Sequence, residues 1–130
     1  MPGVDVLFDT NAVIAWMRRD RNLAEATPPD GAPALSLFAL AELRFGAKNS
    51  SRSESNLAAL DKILANFRLI LPDAATADVY ADIALLLRRK GRPIPTNDLW
   101  IAALALQHRL PLLTRDAHFR EVNGLVVLQW

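Results

Sequence analysis

The 130-residue chain contains no cysteine. Disulfide frameworks, thiolate nucleophiles and zinc–sulfur centres are thereby excluded. Histidine occurs only twice, too sparse for the usual zinc site. No run of about 18 apolar residues appears, so no membrane-spanning helix is expected. The first nine residues, M-P-G-V-D-V-L-F-D, lack the basic start and longer apolar stretch of a secretory signal. They read as a first strand, and the cytoplasm is the expected compartment. A surplus of positive charge is also missing: 15 basic residues face 14 acidic ones, for a net charge of +1. Nucleic-acid binders usually show a basic excess, so a role of that kind must rest on where the charges fall.

Hydrophobic residues are plentiful, at 52%, enough to fill one core. The length fits one domain over residues 1–130. Two basic clusters stand out: Arg18, Arg19 and Arg21, then Arg88, Arg89, Lys90 and Arg92. Each is equally compatible with a solvated helix end, where cations favour the C-terminal dipole.

Strand and helix signals alternate along the chain. Val4–Phe8 reads as a strand and Ala12–Arg19 as a helix. Arg21–Pro33 is polar and broken by Pro28, Pro29, Gly31 and Pro33, which predicts a loop. Ala34–Ser36 is a short strand and Leu37–Lys48 a helix, followed by a serine-rich turn over residues 49–55. Leu57, Leu60, Ile63 and Leu64 form a helical stripe within residues 54–66. Phe67–Leu71 is a strand, and Ala74–Arg89 a helix with Val79, Ile83, Leu86 and Leu87 facing inward. Gly91, Pro93 and Pro95 make a rigid loop before an apolar helix over Thr96–His108, capped by Thr96 or Asn97. Leu112–Thr114, Ala117–Val122 and Val126–Gln129 read as strand, short helix and strand. This alternation predicts an α/β domain with a mostly parallel sheet covered by helices on both faces. No internal repeat or dividing linker is present.

Four carboxylates occupy informative places. Asp9 follows the first strand and precedes a helix. It fits an N-cap, and equally a ligand at the carboxyl edge of a sheet, where α/β proteins bind ligands. Asp116 repeats that setting after Leu112–Thr114. Asp98 falls in the first turn of the apolar helix, where the dipole favours an acid by roughly 0.3–1 kcal/mol. Glu42 shares a helix face with Phe38 and Phe45. It is either a buried charge needing a cation or a rim residue reaching water or a base.

As a set the four are more telling. Strand ends of a parallel sheet converge on one edge, and carboxylates gathered there raise one another's pKa. A hard divalent cation, Mg²⁺ or Mn²⁺, relieves the conflict. Such an ion suits hydrolysis at phosphorus. Asp9, Glu42, Asp98 and Asp116 are therefore the candidate metal ligands and catalytic groups. Thr10, Asn11 and Thr114 are candidates to orient ligands or water. Arg92 and Arg115 are candidate contacts to a nucleic-acid backbone.

With these residues in view, the chain resembles the PIN-domain family, and within it the VapC-type toxins of bacterial toxin–antitoxin systems. The resemblance runs over nearly the whole chain. It is carried by F-D-T-N (Phe8–Asn11), L-A-E-L (Leu40–Leu43), N-D-L-W-I-A-A (Asn97–Ala103) and L-L-T-R-D-A-H-F (Leu112–Phe119), in that order. It implies a single PIN-like domain with a parallel sheet of about five strands, related to doubly wound folds. It further implies an Mg²⁺- or Mn²⁺-dependent endoribonuclease with Asp9, Glu42, Asp98 and Asp116 as its acidic quartet. The implied partners are an RNA substrate, a second copy in a homodimer and a VapB-type antitoxin that covers the site. Helices around Leu37–Phe45 and Val79–Leu87 are candidates for antitoxin contact, or ordinary core. Members of the family differ in whether they cut transfer, ribosomal or messenger RNA.

Two other readings compete. A receiver-like phospho-acceptor domain would want paired acids after the first strand and a lysine after a late one. Here a single Asp9 ends the first, and Arg115 follows Thr114. A non-catalytic PIN-like module binding RNA or protein is the second; the intact quartet argues against it.

Overall fold

The computed structural model describes residues 5–130. Val4, assigned above to the first strand, lies outside them. Five strands alternate with helices: β1 (Val6–Phe8), β2 (Pro33–Ser36), β3 (Arg68–Ile70), β4 (Leu112–Thr114) and β5 (Val127–Gln129). The helices are α1 (Thr10–Met17), α2 (Arg21–Ala26), α3 (Leu37–Lys48), α4 (Ser53–Leu64), α5 (Ala74–Lys90) and α6 (Thr96–His108). A single 3₁₀ turn spans Ala117–Glu121.

The strands form one sheet in the order β3-β2-β1-β4-β5, and every pairing is parallel. The expected α/β architecture is therefore present. Val6, Leu7 and Phe8 are all buried, as are Leu112, Leu113 and Thr114. Successive strand residues point to opposite faces, so both faces of the central strands are covered. The flanking strands are more open, with Leu69 of β3 43% exposed.

Helix α6 is the most enclosed, and its sequence explains why. Ile101, Ala102, Ala103, Leu104 and Ala105 are all at most 2% exposed. Its alanines let neighbouring backbone approach, and α5 lies along it. A second cluster packs Phe8, Trp16 and Phe67 edge to face, with centroids 5.1–6.3 Å apart.

Several sequence expectations need correction. The segment from Arg21 is not wholly a loop: Asp20 accepts the Leu23 N–H at 3.1 Å and starts α2. That helix has one buried side chain, Leu23, so it leaves no periodic stripe to read. Pro33 begins β2, a place where a missing N–H is tolerated. Leu86 faces solvent at 45% exposure, while Ile83 and Leu87 are buried. Neither Thr96 nor Asn97 caps α6; Pro95 occupies that position without a side-chain bond. Residues 117–121 wind as 3₁₀ rather than α, too short a segment for full α-helical bonding. Among the described residues no helix is long and apolar enough to cross a membrane.

Candidate active site

The chain runs from β1 outward to β2 and β3, then returns to β4 on the other side of β1. The switch point of the sheet thus lies between β1 and β4, where doubly wound folds open a crevice at the strand carboxyl ends. Asp9 leaves β1 at that point, and Thr114 and Asp116 leave β4.

Asp9 is only 6% exposed. One carboxylate oxygen accepts the Ala12 N–H at 2.8 Å, capping α1. The other accepts the hydroxyl of Thr114, which is itself fully buried. Thr114 Oγ1 in turn accepts the Asp116 N–H at 3.0 Å. A chain of hydrogen bonds therefore ties the ends of β1 and β4 together. Burial pushes the Asp9 carboxyl above its ordinary value, and the charges of Asp116 and Glu42 add to the rise; the Thr114 and Ala12 bonds oppose it.

Asp98 enters from the first turn of α6, half-buried. Its carboxyl is pushed up to about 6, first by burial, then by the charges of Asp116, Glu42 and Asp9. His118 pulls it back down. The other three predicted carboxylates thus all bear on Asp98. Ligand atoms of Asp98, Asp116 and His118 lie within 4.8 Å of one another. His118 Nδ1 is 3.0 Å from Asp116 Oδ1, which also accepts the His118 N–H at 2.9 Å.

Glu42 sits on the rim. It is exposed, and it accepts the Asn97 side-chain amide at 3.2 Å. Phe45, its expected burial partner, is 69% exposed. Of the other candidates, Thr10 has a buried hydroxyl with no partner among the described residues. Asn11 is exposed on α1 and lines a small pocket with Arg115. Arg115 lies beside the acids, its guanidinium 4.9 Å above the Trp130 ring. Arg92 instead faces Glu121, at 3.7 Å.

His118 and Asn97 belong to this neighbourhood, although the sequence reading does not single them out. Each lies within two residues of an acid that it does single out. An Asp-x-His spacing at a turn brings both side chains to one side, but a lone histidine near a helix start is a weak cue.

The donor set suits a hard divalent ion. Carboxylate oxygens are the preferred ligands of Mg²⁺ and Mn²⁺. Two carboxyls held above their ordinary values are groups that an added positive charge would stabilise. The orphaned Thr10 hydroxyl, adjacent to Asp9, offers one further oxygen.

Comparison with known proteins agrees with this geometry. The PIN domain pattern matches residues 6–125. Ribonuclease VapC5 of Mycobacterium tuberculosis is 35% identical over 126 residues, covering 95% of this chain and 90% of that protein. The tRNA(fMet)-specific endonuclease VapC of Shigella flexneri is 33% identical over 132 residues, covering 95% and 96%. In the crystal structure of VapBC2 from Rickettsia felis bound to a promoter DNA fragment, a chain 25% identical in sequence superposes with a TM-score of 0.88. That match covers 98% of this chain and 99% of the other. With the switch-point crevice, the coupled acids and these matches together, the chain belongs to the PIN-domain family and, within it, to the VapC type.

Proposed function

We propose that this protein is a divalent-metal-dependent endoribonuclease, the toxin of a VapBC-type toxin–antitoxin pair acting in the cytoplasm. The observation that carries the reading is the gathering of Asp98, Asp116 and His118, with ligand atoms within 4.8 Å of one another, beside the buried Asp9 at the switch point. Relatives named as ribonucleases align over nearly the whole chain.

Asp9, Asp98 and Asp116 would hold Mg²⁺ or Mn²⁺, with Glu42 closing the set from the rim. A bound ion neutralises charge developing on a phosphate and makes water a better nucleophile at neutral pH. Thr114 keeps one Asp9 oxygen oriented through its buried hydrogen bond, and the Ala12 N–H fixes the other. Asn97 steadies Glu42. His118 holds a hydrogen-bonding position against Asp116, where it can orient that carboxylate or join the ligands. Arg115, exposed beside the acids, can meet the RNA backbone.

The antitoxin has a surface suited to it. A groove of about 490 Å³ runs along Ile14, Met17, Leu43 and Leu60 and reaches Thr10 and Glu42. Another of about 500 Å³ follows Trp16, Met17, Leu23 and Ile63. An amphipathic segment lying there would cover the acids. The grooves draw on Glu42 and Leu43 from the first predicted contact helix and on nothing from Val79–Leu87. A homodimer belongs to the same reading.

Incubating antitoxin-free protein with total bacterial RNA tests the proposal. Discrete cleavage should require Mn²⁺, disappear in EDTA and disappear in Asp98→Ala. Cleavage that survives either removal would refute the metal-site reading.

A further inference from the structure

Beside the acids lies a second, oppositely charged depression. It has a volume of about 160 Å³ and is lined by Asn11, Ile14, Ala15, Arg18, Asp20 and Arg115. Arg18 caps the C-terminus of α1, the helix that Asp9 opens. Arg115 stands between Thr114 and Asp116. The pocket is therefore built from α1, which Asp9 opens, and from the residue between Thr114 and Asp116.

We propose that Asn11, Arg18 and Arg115 form a subsite for an RNA backbone phosphate that flanks the phosphate at the carboxylates. The inference rests on the ribonuclease reading above and adds a place for the substrate. Three observations support it. Among the described residues, Arg44, Arg68 and Arg92 each face an acid in an ion pair, whereas Arg18 and Arg115 face none. The one acid in the pocket, Asp20, forms an ion pair with neither arginine, and one of its oxygens accepts the Leu23 N–H at the start of α2. Arg115 places its guanidinium carbon 4.9 Å over the centre of the Trp130 ring, a cation–π contact that positions the group without using an acid.

The charge balance explains the need. A polyanion approaching four carboxylates is repelled unless cations stand nearby, and the chain's net charge of +1 offers no general attraction. Two unpaired guanidiniums at the rim supply a local one. A guanidinium fork matches two phosphate oxygens at once, and Asn11 adds a neutral donor. Arg92, already facing Glu121, is the poorer backbone contact.

The test is binding of a short mixed-sequence single-stranded RNA to the intact protein in Ca²⁺, followed by fluorescence anisotropy across a salt series. In the double variant Arg18→Gln/Arg115→Gln, affinity should fall several-fold. The slope of log K against log salt should shrink by about 0.7 for each phosphate that is no longer neutralised. Arg115→Lys should keep the slope and lose part of the affinity, since charge remains without the fork. Arg109→Asn, at the opposite end of β4, should change neither. Unchanged RNA binding in the double variant, with wild-type cleavage intact, overturns the subsite and leaves the nuclease reading standing. Wild-type protein that neither binds nor cuts RNA removes the nuclease reading, and the subsite with it. A double variant that binds RNA normally but loses a VapB-type antitoxin assigns the pocket to an acidic protein partner and overturns the RNA subsite.

Discussion

Asp9 and Asp73 do the same local job. Each precedes a helix, and each accepts a backbone N–H three residues on, from Ala12 at 2.8 Å and from Thr76 at 3.1 Å. Their surroundings differ in kind. Asp73 is exposed and receives the Gln107 amide at 2.8 Å as well. Those bonds hold its carboxyl below the ordinary value. Asp9 is buried within reach of other carboxylates and is held above it. A helix cap needs neither burial nor like-charged neighbours. The arrangement around Asp9 works against the folded chain by itself, and makes sense where a cation completes it.

The largest consequence concerns cleavage. Asn caps a helix about as well as Asp, so Asp9→Asn and Asp73→Asn should both keep their helices. Asp9→Asn should reduce single-turnover RNA cleavage by more than about 100-fold, beyond the usual cost of removing a group that only orients a ligand. Asp73→Asn should leave it unchanged. Equal effects of the two substitutions would erase the distinction drawn between them.

Metal binding should separate the two regions next. At a Mn²⁺ concentration about 100 times its Kd, the folded state should gain about 2.7 kcal/mol. Differential scanning fluorimetry should show that gain in the wild type and in Asp73→Asn. Asp98→Ala should show little or none of it. A shift that persists in Asp98→Ala would place the ion elsewhere.

Stability without metal should move in opposite directions at the two sites. Asp73→Ala removes the carboxylate oxygen that accepts the Thr76 N–H and the Gln107 amide, so the melting temperature should fall by a few degrees. Asp9→Asn removes a buried charge while keeping a cap, so the metal-free melting temperature should rise at neutral pH. A fall in Asp9→Asn would mean that the carboxylate is there for the fold.

Much of this was legible in the residues. Strong periodicity located α3, α6 and β4 to the residue, because long apolar stripes and an isolated Leu-Leu-Thr leave little choice. The parallel sheet followed from alternation. What escaped was set by few residues or by distant ones. Helix α2 depends on one cap and one buried leucine, below any periodic signal. Leu86 sits at helical spacing from Ile83 yet faces out, because the angular width of a buried stripe is fixed by what packs on it. The four candidate acids were picked out from two strand ends, a helix start, a helix face and a motif order that resembles the family's. The rim position of Glu42 and its bond to Asn97 depend on α3 meeting α6, a tertiary fact. The Arg18–Arg115 pocket likewise joins residues 97 positions apart in the chain; the sequence marks Arg18 in a basic cluster and Arg115 as a backbone contact, but not that the two share one pocket.

The smallest expected effect is also the most direct reading of the charge cluster. Unfolded aspartate titrates near 4, whereas the folded Asp98 carboxyl is pushed up to about 6. Between those values the folded state binds more protons than the unfolded one, so stability falls as pH rises. The contribution of Asp98 is fully present below about pH 4 and is lost as pH rises through about 6. Asp9 acts in the same direction. Asp73 has the opposite sign: its contribution is present above the ordinary aspartate range and is lost in more acidic solution. Metal-free melting curves from about pH 4 to 7 should therefore show a downward component that Asp98→Asn removes and Asp73→Asn leaves in place. Saturating Mn²⁺ should invert it, because protons then compete with the ion for the same oxygens and stability drops as pH falls below about 6. A wild type and an Asp98→Asn variant with parallel pH profiles, with and without Mn²⁺, would show that Asp98 does not share charge with its neighbours. The contrast with Asp73 would then reduce to a difference in exposure.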